Sequence, residues 1–515
     1  MTTSEMSAGD RPSPADDKLD RGVLKIASVV VVGAIMAILD TTVVNVALQQ
    51  LTLEFETSFD TIQWVATGYM LALATVIPVT GWAADRFGTK RLYMLAIVLF
   101  LVGSVVAGMA WSIESLIAFR VVQGLGGGML MPAGMTIMTR AAGPQRVGRV
   151  MAVLGVPMLL GPIAGPILGG WLVDSVSWRW IFYINVPIGA VALYLAWRLL
   201  PKDEPQPAGR FDFPGMLMLS PGLALLIYGV SDIPAAGGIG ETSVWLPMSL
   251  GIVLIAGFIV RALRVENPLV NLKLFRDRTF SIAAITMSLF AIAFFGAMLL
   301  LPTYFILVRG ETALQAGLLL APQGLGAMVM MPIAGRLADR TGAGKIVLPG
   351  LVVILAGLAV WAQAAADTPY WLLMVSLFVL GLGMGSSMMP IMSAALQTLT
   401  KKDVAQASSA LNIIQQTAGA IGAAVMSIIL AALLAGKFGV ETSQGQVAAT
   451  AALQNPQTHD AAAVLAADSF ASTFVWSLLL VALCIIPALF LPKRPPAAPP
   501  VGDDEGAPTP PMLAH

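Results

Sequence analysis

Fourteen runs of about twenty apolar residues follow one another along this sequence, and each is long enough to cross a lipid bilayer as a helix. Backbone N–H and C=O groups inside a bilayer must be bonded within the protein, so runs of this length predict transmembrane helices. The predicted spans are roughly residues 24–50, 61–83, 91–110, 114–138, 148–173, 179–200, 213–230, 244–263, 279–308, 313–335, 346–366, 369–398, 404–433 and 469–491.

The charged residues support this prediction and orient the helices. They make up 11% of the chain, against about 25% in soluble proteins. If both termini are cytoplasmic, 25 of the 29 Lys and Arg residues lie at cytoplasmic helix ends or loops. Arg179, Arg309 and Lys437 then lie outside, and Arg120 lies within a span. Because cytoplasmic loops are enriched in Lys and Arg, we predict cytoplasmic termini.

A repeat divides the chain into two related halves. GWAADRFGTKR at 81–91 recurs as GRLADRTGAGK at 335–345, and GLGGG at 124–128 recurs as GLGMG at 381–385. Two duplicated six-helix bundles are a transporter plan with a site near the midplane between the halves. The predicted divisions are a disordered tail (1–22), a six-helix bundle (23–200), two extra helices with a linker (201–278), a second six-helix bundle (279–491) and a disordered tail (492–515).

Two charged side chains interrupt the apolar runs. Asp40 lies deep in the first span, where a carboxylate costs ~2.5–3.5 kcal/mol on insertion scales. Burial disfavours its ionised form, so Asp40 could carry a proton when occluded and release it when hydrated. Arg120 in the fourth span could stabilise a nearby acid or respond to its protonation. The alternatives are a structural hydrogen bond of Asp40, through Thr41 or Asn45, and an Arg120 that pairs with Glu114 near the outer interface.

Uncharged polar and aromatic residues within the spans are candidates to line a substrate cavity, although interhelical hydrogen bonds or packing would explain them equally well. These candidates are Asn45, Gln63, Trp64, Tyr69, Gln123, Phe294, Gln323, Asn412, Gln415 and Gln416. GLGGG lies within a predicted helix and lacks the Lys-Ser/Thr of a P-loop, so it does not predict nucleotide binding. One cysteine, and two histidines in polar segments, predict neither a disulfide framework nor a buried metal site.

The repeated D-R-x-G turns, between spans two and three and between spans ten and eleven, predict a conformational latch, with an ordinary charged loop as the alternative. The residues concerned are Gly81, Asp85, Arg86 and Gly88 with their counterparts Gly335, Asp339, Arg340 and Gly342. The fifth span is rich in Gly and Pro, which predicts a pliable helix beside the cavity or a closely packed one.

LDTTVVNVAL at 39–48, GWAADRFGTKR at 81–91, FRVVQGLGGG at 119–128 and GVPMLLGPIAGPILGG at 155–170 occur in this order. Together they resemble the fourteen-span drug:proton antiporters of the major facilitator superfamily. The resemblance implies two six-helix bundles plus two extra central helices, in a bacterial cytoplasmic membrane. It also implies export of lipophilic, often cationic, compounds in exchange for protons. We predict in addition no cofactor, contact with membrane lipids, no nucleic-acid partner and function as a monomer.

By this resemblance Asp40 and Arg120 match the residues of proton coupling, and Asp85 and Arg86 match the loop linked to conformational switching. The residues that match the antiporter signature of the fifth helix are Gly155, Gly161, Pro162, Gly165, Gly169 and Gly170. Some relatives carry a second deep acid, but here Phe294 takes the position equivalent to Asp40. We therefore expect about one proton per monocationic or neutral substrate, and no export of divalent cations.

Other functions are compatible with parts of the sequence. The strongest alternative is a dedicated proton-coupled exporter of one endogenous metabolite, lipid or antibiotic on the same scaffold. A membrane-embedded sensor is disfavoured because the acid, the arginine and the antiporter helix are retained. An intramembrane enzyme is disfavoured because no paired acids or nucleophile–base set is evident.

Overall fold

The computed structural model describes residues 20–57, 59–143, 146–202, 210–236, 238–400 and 403–494, and within these ranges the chain is helical. The α-helices are α1 (Arg21–Glu54), α2 (Phe59–Phe87), α3 (Thr89–Gly108), α4 (Ile113–Ala142), α5 (Val147–Ser175), α6 (Trp180–Tyr183), α7 (Asn185–Leu199), α8 (Phe213–Ala236), α9 (Thr242–Ala262), α10 (Arg278–Leu307), α11 (Ala313–Leu319), α12 (Ala321–Thr341), α13 (Gly344–Trp361), α14 (Tyr370–Gln397), α15 (Val404–Phe438), α16 (Gly445–Gln454) and α17 (His459–Ala488). Short 3₁₀ turns lie at Leu272–Arg276 and Thr442–Gln444.

Each predicted span coincides with one of these helices or with a pair of them. The sixth span is the pair α6–α7 and the tenth is the pair α11–α12. Among the described residues, 13 stretches are long and apolar enough to cross a membrane. The fifth predicted span lies on α5, a further helix of 29 residues. The prediction of an all-helical membrane protein is confirmed.

The segment 434–468 separates the last two predicted spans and, with cytoplasmic termini, would be an outer loop, but it is largely helical. Helix α15 continues to Phe438, α16 fills much of the connection, and α17 begins at His459, ten residues before the predicted start of the last span at 469. The sequence of α16, GQVAATAALQ, is rich in alanine, which has the highest helix propensity. Local propensity therefore extends the helices beyond the apolar runs.

Helices pack mainly with partners from the same half of the chain. In the first half α1 packs on α5 and α7, and both α2 and α3 pack on α4. In the second half α10 packs on α15 and α17, and both α12 and α13 pack on α14. The halves meet where α5 contacts α12 and α14, and where α15 contacts α2 and α4. Helix α8, one of the two predicted extra helices, packs on α9 and contacts both α2 and α15.

The division of the chain at residues 200, 278 and 491 stays a prediction. The predicted disordered tails lie almost entirely outside the described residues, because description begins at residue 20 and ends at residue 494.

The repeated turns share an unusual backbone conformation. Gly88, after α2, has φ +91°, and Gly342, after α12, has φ +93°. A side chain is strained at such positive φ values, so glycine is the residue that lets the chain reverse there at little cost. The same conformation at equivalent positions explains why both copies of the turn keep this glycine.

Candidate functional site

The Asp40 carboxylate is buried at the centre of a polar network. Its Oδ2 accepts a hydrogen bond from Arg120 Nη1 at 2.6 Å. Its Oδ1 accepts from Gln123 Nε2 at 2.7 Å and from Asn185 Nδ2 at 2.8 Å. Asp40 and Arg120 are each 1% exposed. Three donors from α4 and α7 thus hold an acid of α1 in the interior of the first half.

Arg120 uses its planar fork to join several helices. Besides Asp40, Nη1 also donates to Gln123 Oε1 at 2.7 Å, and Nε donates to the Val65 carbonyl at 3.2 Å. The guanidinium carbon lies 4.2 Å from the Tyr69 ring centroid, a cation–π contact. Within the described structure its ion-pair partner is therefore Asp40 and not Glu114, the partner considered from the sequence.

Glycines of the GLGGG segment let the neighbouring helices approach this network. An ideal Cβ at Gly124 would lie 2.5 Å from the Tyr69 carbonyl oxygen, and one at Gly128 would lie 2.6 Å from that of Leu73. From the facing helix, a Cβ at Gly103 would lie 2.6 Å from the Gln123 backbone. These contacts set α2 and α3 directly against α4, which is a packing role for the glycines.

A cavity of about 640 Å³ adjoins the network between the two halves. Thr41, next to Asp40 in sequence, and Tyr69, which covers Arg120, both line it. The other lining residues come from α2, α8, α10 and α15 and are Met70, Leu73, Ala74, Ile227, Ser231, Phe295, Met298, Leu299, Gln415, Gln416, Gly419, Ala420, Ala423, Ala424 and Ser427. A molecule in this cavity would contact side chains that touch the buried ion pair.

The structure brings together three of the candidate cavity residues, Tyr69, Gln415 and Gln416, and places the other described candidates elsewhere. Gln123 binds Asp40 inside the first half. Trp64 is 40% exposed and stacks on Tyr228 of α8, with ring centroids 5.5 Å apart. The side chains of Asn45 and Gln63 lie outside the description.

The remaining candidates belong to the second half. Phe294 and Gln323 line a much smaller, separate cavity, where Gln323 Nε2 contacts Met384 Sδ at 3.1 Å. Asn412 Nδ2 donates to the Ser408 carbonyl at 2.8 Å and contacts Met135 Sδ of the first half at 3.2 Å. Both of these amides thus make interhelical or local contacts, the alternative considered from the sequence.

The second D-R-x-G turn connects the two halves directly. Asp339, on α12, accepts hydrogen bonds from the backbone N–H groups of Gly148 at 2.9 Å and Arg149 at 3.3 Å, at the start of α5. It also accepts one from Gln397 Nε2 at 3.2 Å. A carboxylate at a helix N-terminus is stabilised by the unpaired N–H groups and the helix dipole. We name this contact, together with Gly335, the α5–α12 latch.

The first D-R-x-G turn makes different contacts. Asp85 binds Arg140 of its own half at 2.8 Å. Gly81 lies against α15, where an ideal Cβ would be 3.1 Å from Ser409 Oγ. Arg86 and its counterpart Arg340 are exposed at the ends of α2 and α12. In both turns, then, the acid is buried and the following arginine is exposed.

Helix α5 runs without interruption from Val147 to Ser175 despite its prolines. Gly155 lies against Met331 and Met389 of the second half, while Gly165 and Gly169 lie against α1. A Cβ at Gly170 would meet no described atom within 4 Å. Gly161 and Pro162 belong to a stretch of α5 whose side chains are outside the description. The close-packing interpretation thus accounts for three of these glycines.

Comparison with known proteins establishes the family. A sequence model of the Major Facilitator Superfamily matches residues 30–423. The chain belongs to this superfamily. It is 45% identical over 503 residues to a multidrug resistance protein B homologue of Mycobacterium tuberculosis strain H37Rv, covering 95% of this chain and 93% of that protein. It is 31% identical over 407 residues to the multidrug export protein EmrB of Haemophilus influenzae, covering 76% and 78% of the two chains.

The solved structure of the human organic anion transporter MFSD10 has the same fold, with a TM-score of 0.59 at 15% identity, over 89% of this chain and 99% of that one. The predicted resemblance to the fourteen-span drug-efflux branch of the major facilitator superfamily is confirmed. The protein is thus a multi-pass membrane protein of a transporter family, and not an enzyme.

Two residues of the network were missed in the sequence. Asn185 binds Asp40, and Ser104 accepts a hydrogen bond from Asn185 at 3.0 Å while donating to the Phe182 carbonyl at 2.8 Å. Asn185 is the sole amide side chain in the sixth predicted span, a signal that could have identified it. Ser104 offers no such signal, because a serine within a transmembrane helix commonly bonds its own backbone.

Proposed function

We propose that this protein is a proton-coupled antiporter that exports lipophilic, monocationic or neutral compounds from the cytoplasm or inner leaflet by alternating access. The observation that carries the proposal is the buried Asp40–Arg120 pair beside a cavity between the halves. Ionisable residues inside membrane proteins commonly mark ion or proton pathways. The names of the relatives, which are multidrug resistance and multidrug export proteins, support drug-like substrates.

Asp40 is the proton carrier in this proposal. Paired with Arg120 it is ionised, and the pair has no net charge. A proton that reaches Asp40 from the outer side would neutralise the carboxylate and free the guanidinium, and the opposite conformation, open to the cytoplasm, would release that proton. Because an unpaired buried charge is strongly unfavourable, protonation and the position of Arg120 must change together. Tyr69 contacts both Arg120 and the cavity, so it can couple this change to substrate.

The α5–α12 latch supplies the conformational half of the mechanism. If the termini are cytoplasmic, as the Lys and Arg distribution predicts, the latch closes the cytoplasmic end and the cavity lies on its outer side. Breaking the hydrogen bonds of Asp339 would let α5 and α12 separate and would open that end. In this scheme the proton gradient is the driving force, no cofactor takes part, and one chain within the lipids of a bacterial cytoplasmic membrane suffices.

The test uses purified protein in liposomes with an imposed pH gradient. We expect the gradient to drive transport of a fluorescent lipophilic compound by wild type and by Glu114→Gln, a control that neutralises an exposed acid of α4. We expect Asp40→Asn to bind the compound but to lose gradient-driven transport. Equal transport by Asp40→Asn and wild type would refute the role of Asp40. Loss in Glu114→Gln alone would move the proton site to the outer end of α4.

A further inference from the structure

Resting on the proposed antiport, we infer that the cavity selects neutral lipophilic molecules with hydrogen-bonding groups, and excludes permanent cations. Each export cycle then carries one net positive charge inward with the proton. This narrows the expectation drawn from the family resemblance, which covers cationic compounds as well.

Among the residues that the structure describes, none that lines the cavity supplies a counter-charge for a cation. Of the 17 described residues that line it, none is acidic or basic. Six lining side chains are polar and uncharged: Thr41, Tyr69, Ser231, Gln415, Gln416 and Ser427. The rest of the wall is aliphatic, Met, Gly or Phe295. Such a wall matches an apolar molecule that carries a few donors and acceptors.

Asp40 cannot serve as that counter-charge in this conformation. Its two oxygens already accept three hydrogen bonds, and the nearest cation is Arg120 at 2.6 Å. The pair is therefore neutral as seen from the cavity. Protonation of Asp40 makes the cavity less favourable for a cation. The charge of Arg120 is then no longer neutralised, and the network has a net positive charge.

The ring face of Tyr69, which lies between the cavity and the network, is already occupied by a cation. Tyr69 lines the cavity and also contacts the network, because the Arg120 guanidinium lies 4.2 Å from its ring centroid. A second cation on this ring would be repelled by the first. The other lining aromatic, Phe295, packs edge-on against Phe294, with centroids 4.9 Å apart, and contacts Gly419. The two aromatic residues thus make a poor cage for a cation.

Gln415 and Gln416 offer the specific contacts instead. They are adjacent on α15, Gln415 buried and Gln416 exposed, and an amide both donates and accepts. A neutral carbonyl, hydroxyl or amine can bind there without bringing in a charge. These two residues are therefore the proposed determinants of specificity.

A neutral substrate makes the exchange electrogenic. One charge moves per cycle, so 100 mV should change the accumulation ratio about 50-fold, the equivalent of about 2.3 kcal/mol. Exchange of a monocation for one proton would move no net charge and would not respond to voltage.

The experiment uses two dyes with the same ring system, neutral Nile red and Nile blue with its amino group dialkylated, so that it stays monocationic at every pH. Both are added to proteoliposomes that contain a trapped pH indicator. Valinomycin and potassium set the potential, and luminal alkalinisation measures proton exit by transporters whose cytoplasmic face is outward. We expect Nile red to drive proton exit that accelerates with a lumen-positive potential and is absent in Asp40→Asn. We expect Nile blue to drive none.

Proton exit driven by Nile blue and insensitive to voltage would overturn the inference while leaving proton antiport intact. Proton exit driven by neither dye would overturn both proposals. Voltage-dependent exit with Nile red alone would support both.

A charge-placement variant tests the cavity itself. Gln416→Glu supplies the missing counter-charge, so we expect it to allow Nile blue to drive proton exit. The matched control Gln363→Glu adds the same acid at an exposed glutamine beyond the end of α13, outside the cavity wall. A gain in Gln416→Glu alone would support the inference, and the same response in both variants would contradict it.

Discussion

Replacing Gly335 with alanine would place a methyl group at the α5–α12 latch. An ideal Cβ there lies 2.6 Å from the Gly148 carbonyl oxygen, 0.8 Å less than the 3.4 Å at which ordinary van der Waals contact begins. It also lies 3.0 Å from the Ala152 Cβ. Because the first neighbour is backbone, no side-chain rotation relieves the clash. The two helices must move apart in the latched conformation.

Overpacking of this kind costs ~1–3 kcal/mol. The separation would also stretch the 2.9 Å hydrogen bond from the Gly148 N–H to Asp339. The cost applies where α5 and α12 touch, so it favours the conformation in which they separate. At 1.4 kcal/mol per tenfold change, the equilibrium should shift toward the unlatched state by about 5- to 150-fold.

The assay is thiol accessibility. Cys484, the single cysteine, is replaced by alanine, and Ser393→Cys introduces a reporter at a buried position that contacts Gln397 of the latch. We expect a membrane-impermeant maleimide to label the reporter faster in Gly335→Ala by the factor above. Gly436→Ala, whose Cβ would meet no described atom within 4 Å, should leave the rate unchanged. Unchanged or slower labelling in folded Gly335→Ala would refute the reasoning.

Arg120→Lys keeps the positive charge but loses the planar group whose Nη1 reaches Asp40 and Gln123 while its Nε reaches the Val65 carbonyl, so we expect folded protein whose gradient-driven transport falls at least tenfold in the liposome assay. Gly126→Ala places a Cβ 2.7 Å from the Ala96 carbonyl oxygen, and we expect ~1–3 kcal/mol of destabilisation, seen as a lower unfolding temperature. Arg261→Met removes the ion-pair partner that lies 2.8 Å from the buried Asp212 carboxylate, and we expect the free energy of unfolding to fall by ~1.5–3 kcal/mol.

Each of these expectations has its own control. A compensating change of Asp212 to asparagine should recover most of the stability lost in Arg261→Met, because the uncompensated charge is then gone. Full stability in the single variant would show that the ion pair contributes little. For Gly126, an unfolding temperature equal to that of Gly436→Ala would contradict the close-packing argument. For Arg120, wild-type transport by the lysine variant would show that charge alone suffices.

The helices and the two central charges could be predicted because each has a local signal. An apolar run of twenty residues by itself predicts a membrane-spanning helix, and a single charged residue such as Asp40 or Arg120 within such a run is easily recognised. Their pairing has no local signal, since 80 residues separate them and the contact depends on how α1 packs against α4. The identity of the third donor, Asn185, depends in the same way on where α7 lies.

The inserted helices were the hardest part to predict. Trp64 was expected in the cavity, but it stacks on Tyr228, because α8 packs against α2. Helix α8 has no counterpart in the repeat, so the repeat gives no information about its position. The two D-R-x-G turns show that equivalent positions in a repeat can make different contacts. Asp85 binds a side chain of its own half, whereas Asp339 binds the start of a helix in the other half.

The most direct test of the central claim, that Asp40 exchanges its proton for substrate, is a proton count. Substrate is added to purified protein in a weakly buffered detergent solution, and a pH indicator measures the protons released per bound molecule. The account predicts release of about one proton by wild type, and none by Asp40→Asn with binding retained. Equal release by the two proteins would show that the exchanged proton resides elsewhere and would contradict the account.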